Sequence, residues 1–221
     1  MPLEKLKEVQ KQLASKIRLS PLKEFPKLIG GADVAYDPKR KLSYGVIVVL
    51  RAKDLKKIAE AIAISPTSFP YIPGFLSFRE VPVLKEAFER LTVKPEILLV
   101  DGQGILHPRR LGLASHLGLE LNLPTIGVAK KPLIGQFEMP PEERGAFSFI
   151  KVDEEVRGIV LRSRKGVKPI YLSPGHLIDL EGALKIVLRC LKGYRLPEPI
   201  RQAHILSQKV KKIPYFENEA L

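Results

Sequence analysis

Residues 97–129 read ILLVDGQGILHPRRLGLASHLGLELNLPTIGVA. The run Ile97-Leu98-Leu99-Val100 is continuous in apolar side chains and stops at Asp101-Gly102, which predicts a short strand buried on both faces. Leu111 to Leu121 carries apolar residues at helical spacing, and Thr125 to Ala129 is a second short apolar run. Strand, helix and strand in so few residues make a βαβ unit, which requires a parallel sheet with helices packed on it.

Working outward, three candidate strands precede this unit: Leu28 to Tyr36, Ser43 to Leu50 and Lys57 to Ile64. Asp37-Pro38 and Lys53-Asp54 supply turn chemistry between them, so an antiparallel meander is expected. Leu3 to Ile17 reads as a short, peripheral amphipathic helix. Ser65 to Ser77 is a proline-rich shaped loop leading into a helix from about Phe78 to Leu91. Downstream, strands are expected at Val156 to Leu161 and Pro169 to Leu172, with helices at Leu177 to Leu191 and Glu198 to Lys211. The fold class is therefore α/β, a mixed sheet with an antiparallel meander plus parallel strands, flanked by helices. With 221 residues and 45% hydrophobic content, the chain is expected to form one domain over residues 1–221.

Lys and Arg outnumber Asp and Glu by 37 to 24, a formal charge of +13, which favours a polyanionic partner such as nucleic acid. A lysine-rich solvated surface accounts for the same number without any partner. The lone cysteine, Cys190, excludes an internal disulfide and a cysteine zinc site. None of the four histidines is spaced as a zinc pair. No apolar run is long enough to span a membrane, and the start of the chain mixes charges, so a soluble, untargeted, cytoplasmic protein is expected.

Three carboxylates carry the chemistry. Asp33 follows Ile29-Gly30-Gly31-Ala32, Asp101 follows the buried run, and Glu80 stands near the start of the helix after the proline-rich loop. Taken singly, each is accounted for by a turn, a cap or a strand end. As a set emerging from buried backbone they need a counter-charge, and no neighbouring Arg or Lys serves them all. Magnesium, or manganese in its place, suits such oxygen ligands and fits phosphodiester hydrolysis. Lys130, ending the second parallel strand, is placed to meet a phosphate. His204, on the last helix, either completes the site or packs. His107, Arg109 and Arg110 follow Asp101 closely and are candidate nucleic-acid contacts, whereas His116 and His176 read as structural. Val100-Asp101-Gly102-Gln103-Gly104 lacks the full dinucleotide fingerprint, and no phosphate loop of the G-x-x-x-x-G-K type occurs, so a nucleotide cofactor is not expected.

The segment Pro70-Tyr71-Ile72-Pro73 places an aromatic and an apolar side chain between two prolines, just before Glu80. Such a stiff projection suits a wedge inserted into a base stack, although a loop folded onto the core has the same composition.

These residues fall into ordered motifs: Gly31-Ala32-Asp33-Val34-Ala35-Tyr36, Pro70 through Glu80, Asp101-Gly102-Gln103-Gly104 with His107-Pro108-Arg109, Gly112 through His116, and Pro124 through Lys130. Ser173-Pro174-Gly175-His176 and Arg201-Gln202-Ala203-His204 continue the series. Together they resemble the endonuclease V family over nearly the whole chain. The resemblance implies a ribonuclease H-like fold, dependence on magnesium or manganese, and cleavage at the second phosphodiester 3′ to inosine. It implies that Asp33, Glu80 and Asp101 bind the metal, that His204 lies near it and Lys130 near the scissile phosphate, and that Pro70 to Pro73 separates strands. DNA containing deoxyinosine is the expected partner, with inosine-containing RNA beside it, and the protein is expected to work as a monomer.

Hypoxanthine has an acceptor at O6 where adenine has an amino group, and it lacks guanine's exocyclic amine. A pocket of close backbone N–H groups therefore selects it; Gly74, Gly102 and Gly112 are the candidates for close approach, with Leu76 or Leu113 over the ring. Two other classes remain in view: a non-catalytic nucleic-acid binder on the same fold, and a junction or ribonuclease H-type nuclease that needs no wedge.

Overall fold

The computed structural model describes residues 2–213, which include every candidate site residue; the acidic end, Glu217 to Leu221, lies outside them. Helix α1 (Leu3–Ala14) precedes the meander of β1 (Leu28–Asp37), β2 (Leu42–Arg51) and β3 (Lys56–Pro66). Asp37 makes the first reversal, its Oδ1 accepting the backbone N–H groups of Lys39 and Arg40 at 2.9 and 3.2 Å. Asp54 makes the second, pairing with Arg51 and accepting the N–H of Lys56. Then follow α2 (Leu76–Glu89), β4 (Ile97–Asp101), α3 (Leu113–Leu121), β5 (Thr125–Ala129), β6 (Phe147–Val152), β7 (Glu155–Leu161), β8 (Ile170–His176), α4 (Leu180–Arg189) and α5 (Glu198–Lys212).

Among the described residues the strands form one eight-stranded sheet in the order β3-β2-β1-β4-β5-β8-β7-β6. β1, β4 and β5 run parallel at its centre, and the pairings on either side are antiparallel. The βαβ unit and the meander stand where the sequence puts them, within a few residues. Strand β6 is not legible in the sequence, because Phe147 and Phe149 face outward at the sheet edge while Ser148 lies on the inner side, so apolar residues do not mark its buried face. Strand β8 runs on past Leu172 through Pro174, whose carbonyl is used by the N–H of Ile105.

Alternation along β1 and β4 separates two cores. Ile29, Ile97 and Leu99 face Ala183, Ile186, Ile200 and Ala203 of α4 and α5. Ala32, Leu98 and Val100 face Val83 and Leu84 of α2 and Leu113 and Leu117 of α3. Cys190 is a free, buried thiol, pushed up to about 12 by burial, and so is chemically inert. Among the described residues no helix is long and apolar enough to cross a membrane.

Candidate active site

The parallel register of β1 and β4 ends at Ala32 opposite Val100, so the side chains of the next residues, Asp33 and Asp101, project from the sheet side by side toward α5. Helix α5 reaches them because Gly31 has no side chain: a Cβ there would lie 2.1 Å from the Pro199 carbonyl oxygen. With its start seated on Gly31, α5 presents His204 and Ser207, one turn apart, to Asp33. Ser207 Oγ donates to Asp33 Oδ2 at 2.6 Å, and His204 Nδ1 stands 3.0 Å from the same oxygen. Lys130, just past β5, donates from Nζ to Asp101 Oδ2. Ligand atoms of Asp33, Asp101 and His204 all lie within 4.8 Å of one another.

The third expected carboxylate, Glu80, is not in that tight trio; it comes from the opposite layer, on α2, and it feels the charge of both aspartates. Burial, followed by the Asp33 carboxylate and, more weakly, Asp101, holds the Glu80 carboxyl at about 8, with Arg79 pulling the other way. Burial and then Asp33 likewise raise Asp101, against the lowering effect of Lys130. One ammonium beside three crowded carboxyls leaves the cluster short of positive charge. Carboxylate oxygens with one imidazole, converging within coordination reach, fit a hard divalent cation. Ser207 is the functional partner the sequence reading missed, its only signal being a small polar residue one turn beyond His204.

Beside this cluster stands the proline-rich tip. Pro70, Tyr71 and Pro73 are exposed, Tyr71 at 66%, and Ile72 is half-buried. Ile72 to Phe75 form a β-turn in which Phe75 N–H donates to Ile72 O at 3.0 Å and Gly74 adopts φ 78°, the left-handed position that glycine fills without strain. Behind the tip is a cavity of about 440 Å³, and Gly74, Leu76, Gly102, Gly112 and Leu113 all line it. Two buried polar atoms from its lining residues, Ser77 Oγ and Gln103 Oε1, have no hydrogen-bond partner among the described residues. Gly112 has a packing reason to be glycine: a Cβ would meet the Gln103 carbonyl oxygen at 2.3 Å, so its bare face serves the backbone rather than a base.

The basic residues after Asp101 are paired within the protein, Arg109 in its interior and Arg110 at its surface. Arg109 donates from Nη2 to Gly74 O at 2.9 Å and lies over the Phe75 ring, 4.6 Å from its centre. Arg110 pairs with Glu155. His107 is buried; its Nδ1 accepts the Arg109 N–H at 3.2 Å, and its Nε2 donates to Gly74 O at 3.1 Å. Burial, then Arg109, pushes His107 down to about 4, so it is neutral near pH 7. His116 packs edge-on against Phe78 and His176 Nδ1 accepts the Arg18 N–H, both structural.

The endonuclease V family model matches residues 11–205. The endonuclease V of Dictyoglomus thermophilum is 46% identical over 201 residues, 91% of this chain and 87% of that one. The crystal structure of endonuclease V from Streptomyces avermitilis superimposes with a TM-score of 0.89 at 40% identity, covering 95% of this chain and 92% of that one. Endonuclease V of Ciona intestinalis, crystallised with a 24mer DNA containing an inosine followed by a ribo-adenosine, gives a TM-score of 0.82 at 31% identity over 96% of this chain and 99% of that one. The mixed sheet with its flanking helices is the ribonuclease H-like fold of these proteins, and with the family model spanning most of its length the chain belongs to the endonuclease V family.

Proposed function

We propose that this chain is an endonuclease, dependent on magnesium with manganese as a substitute, that recognises inosine and hydrolyses the second phosphodiester on its 3′ side. Its substrate is DNA containing deoxyinosine, with inosine-containing RNA as a second one, and it works as one catalytic domain and as a monomer. The observation that carries this reading is the convergence of Asp33, Asp101 and His204 within 4.8 Å, with Glu80 beside them, next to a cavity fronted by an exposed aromatic tip.

Asp33, Asp101 and His204, with Glu80 at the rim, would hold the divalent ion. Bound there, the ion supplies Lewis-acid charge for the phosphodiester and favours ionisation of the attacking water. The chain's own groups do the rest. Ser207 and His204 orient Asp33 through one oxygen, and Lys130 brings an ammonium beside Asp101, where it offsets charge gathering on the scissile phosphate. Tyr71 takes the gap in the stack when the base is extruded, and the cavity receives the base. A non-catalytic binder has no use for three crowded carboxyls, and a ribonuclease H or junction nuclease has no use for the tip.

The test is cleavage of matched DNA and RNA strands carrying one inosine, with magnesium present or chelated. Cutting at the second 3′ phosphodiester only with free cation is expected; equal cutting in chelator, or indifference to inosine, overturns the reading.

A further inference from the structure

The proline-rich tip makes almost no hydrogen bonds of its own. Within it the one turn bond, Phe75 N–H to Ile72 O, closes the hinge at Gly74, and Pro70 and Pro73 have no N–H to give. What holds the hinge comes from elsewhere in the chain. Three side chains converge on the Gly74 carbonyl oxygen: Gln10 Nε2 at 2.9 Å, Arg109 Nη2 at 2.9 Å and His107 Nε2 at 3.1 Å. Gln10 belongs to α1, a helix in which only Leu6 and Gln10 are buried, and Gln10 is fully so. Its Oε1 accepts from Arg109 Nε, so one amide both holds the hinge and steers the guanidinium that also holds it.

A buried glutamine is costly unless both ends of its amide are bonded, and an apolar residue would seat α1 more simply. The residue is therefore explained by what it reaches. At a left-handed glycine, rotation of one peptide plane swings everything before it, and the carbonyl that Gln10 holds belongs to the peptide plane joining the tip to α2.

We infer that α1 is a positioning element for the tip and that Gln10, through Gly74, sets the tip's orientation and with it the ability to open a base stack at inosine. The specificity part rests on the function proposed above; the positioning part does not.

The two parts are tested separately. The chain contains no tryptophan, so Tyr71→Trp provides a single reporter on the tip. In that background Gln10→Met keeps length and burial but removes both amide bonds, and Gln10→Glu keeps the acceptor for Arg109 while losing the donor to Gly74. Time-resolved fluorescence anisotropy is expected to show a larger nanosecond component of tip motion in Gln10→Met, and a smaller increase in Gln10→Glu. Unchanged anisotropy in both overturns the positioning role, whatever the substrate proves to be. With Tyr71 restored, Gln10→Met is expected to lose about ten-fold in kcat/KM on an inosine duplex, mainly through KM. On a single strand with the same inosine, where there is no duplex to open, it should stay within about two-fold of wild type. Equal loss on both substrates overturns the specificity role and leaves Gln10 a structural residue. If wild-type protein cuts neither substrate, the proposed function fails, and the anisotropy alone decides the positioning role.

Discussion

Replacing Glu80 by glutamine is expected to stabilise the metal-free protein by an amount that grows with pH. The Glu80 carboxyl stands at about 8 instead of its ordinary 4.5, because it is buried beside the Asp33 and Asp101 carboxylates. A carboxyl raised in this way binds its proton more tightly in the folded state. Its favourable contribution is present below the unfolded value of 4.5 and is lost as pH rises through about 8. At 1.36 kcal/mol per decade of proton affinity, the ceiling is about 5 kcal/mol above pH 8. Part of the Glu80 surface still meets solvent, and screening reduces this to about 2 to 4 kcal/mol. Glutamine keeps the shape and carries no charge, so the difference between wild type and Glu80→Gln isolates this one group from histidines such as His107 that titrate with the opposite sign. Urea denaturation in excess chelator, from about pH 5 to about pH 9, should show the two proteins nearly equal at the acid end and the variant ahead at the alkaline end. Adding a divalent cation should close the gap by stabilising the wild type. A gap independent of pH, or a wild type more stable than the variant at alkaline pH without cation, would refute the reasoning.

Three further outcomes are expected. Tyr71→Ala should narrow the preference for inosine duplex over undamaged duplex by about ten-fold, measured as a ratio of affinities in calcium; an unchanged ratio removes Tyr71 from recognition. Ser207→Ala removes a donor from Asp33 and should weaken manganese binding by about ten-fold in calorimetric titration, and full affinity would show that the hydroxyl does not orient the ligand. Gly31→Ala forces a Cβ to within 2.1 Å of the Pro199 carbonyl oxygen, so it should lower stability by about 1 to 3 kcal/mol and depress cleavage as α5 lifts His204 and Ser207 away; wild-type melting with full activity would contradict the packing argument.

Much of the site is legible without coordinates because each carboxylate breaks a local pattern. Asp101 ends an apolar strand, Asp33 interrupts a glycine-rich one, and neither position has a counter-charge beside it in the chain. Lys130 and the exposed tip are legible for the same reason. The periodicity of Ile97 to Val100 and Thr125 to Ala129 settles the parallel centre of the sheet, since short apolar runs separated by a helix have few other ways to bury themselves.

What a side chain touches is another matter. Arg109 beside an acidic cluster reads as a phosphate ligand, and it lies instead on the Gly74 carbonyl and the Phe75 ring. Gly112 reads as room for a base, and its open face is filled by the Gln103 carbonyl. Ser207 has only its place one turn beyond His204 to mark it, and Gln10 nothing, both being polar residues on amphipathic helices where a polar side chain is ordinary. Their meaning comes from Asp33, 174 residues from Ser207, and from Gly74, 64 residues from Gln10. Local pattern determined the strands, the helices and the carboxylates, because apolar periodicity and an uncompensated charge are properties of neighbours in the chain. Packing alone decided which donor meets which acceptor, because that depends on how α1 and α5 settle against segments far away in sequence.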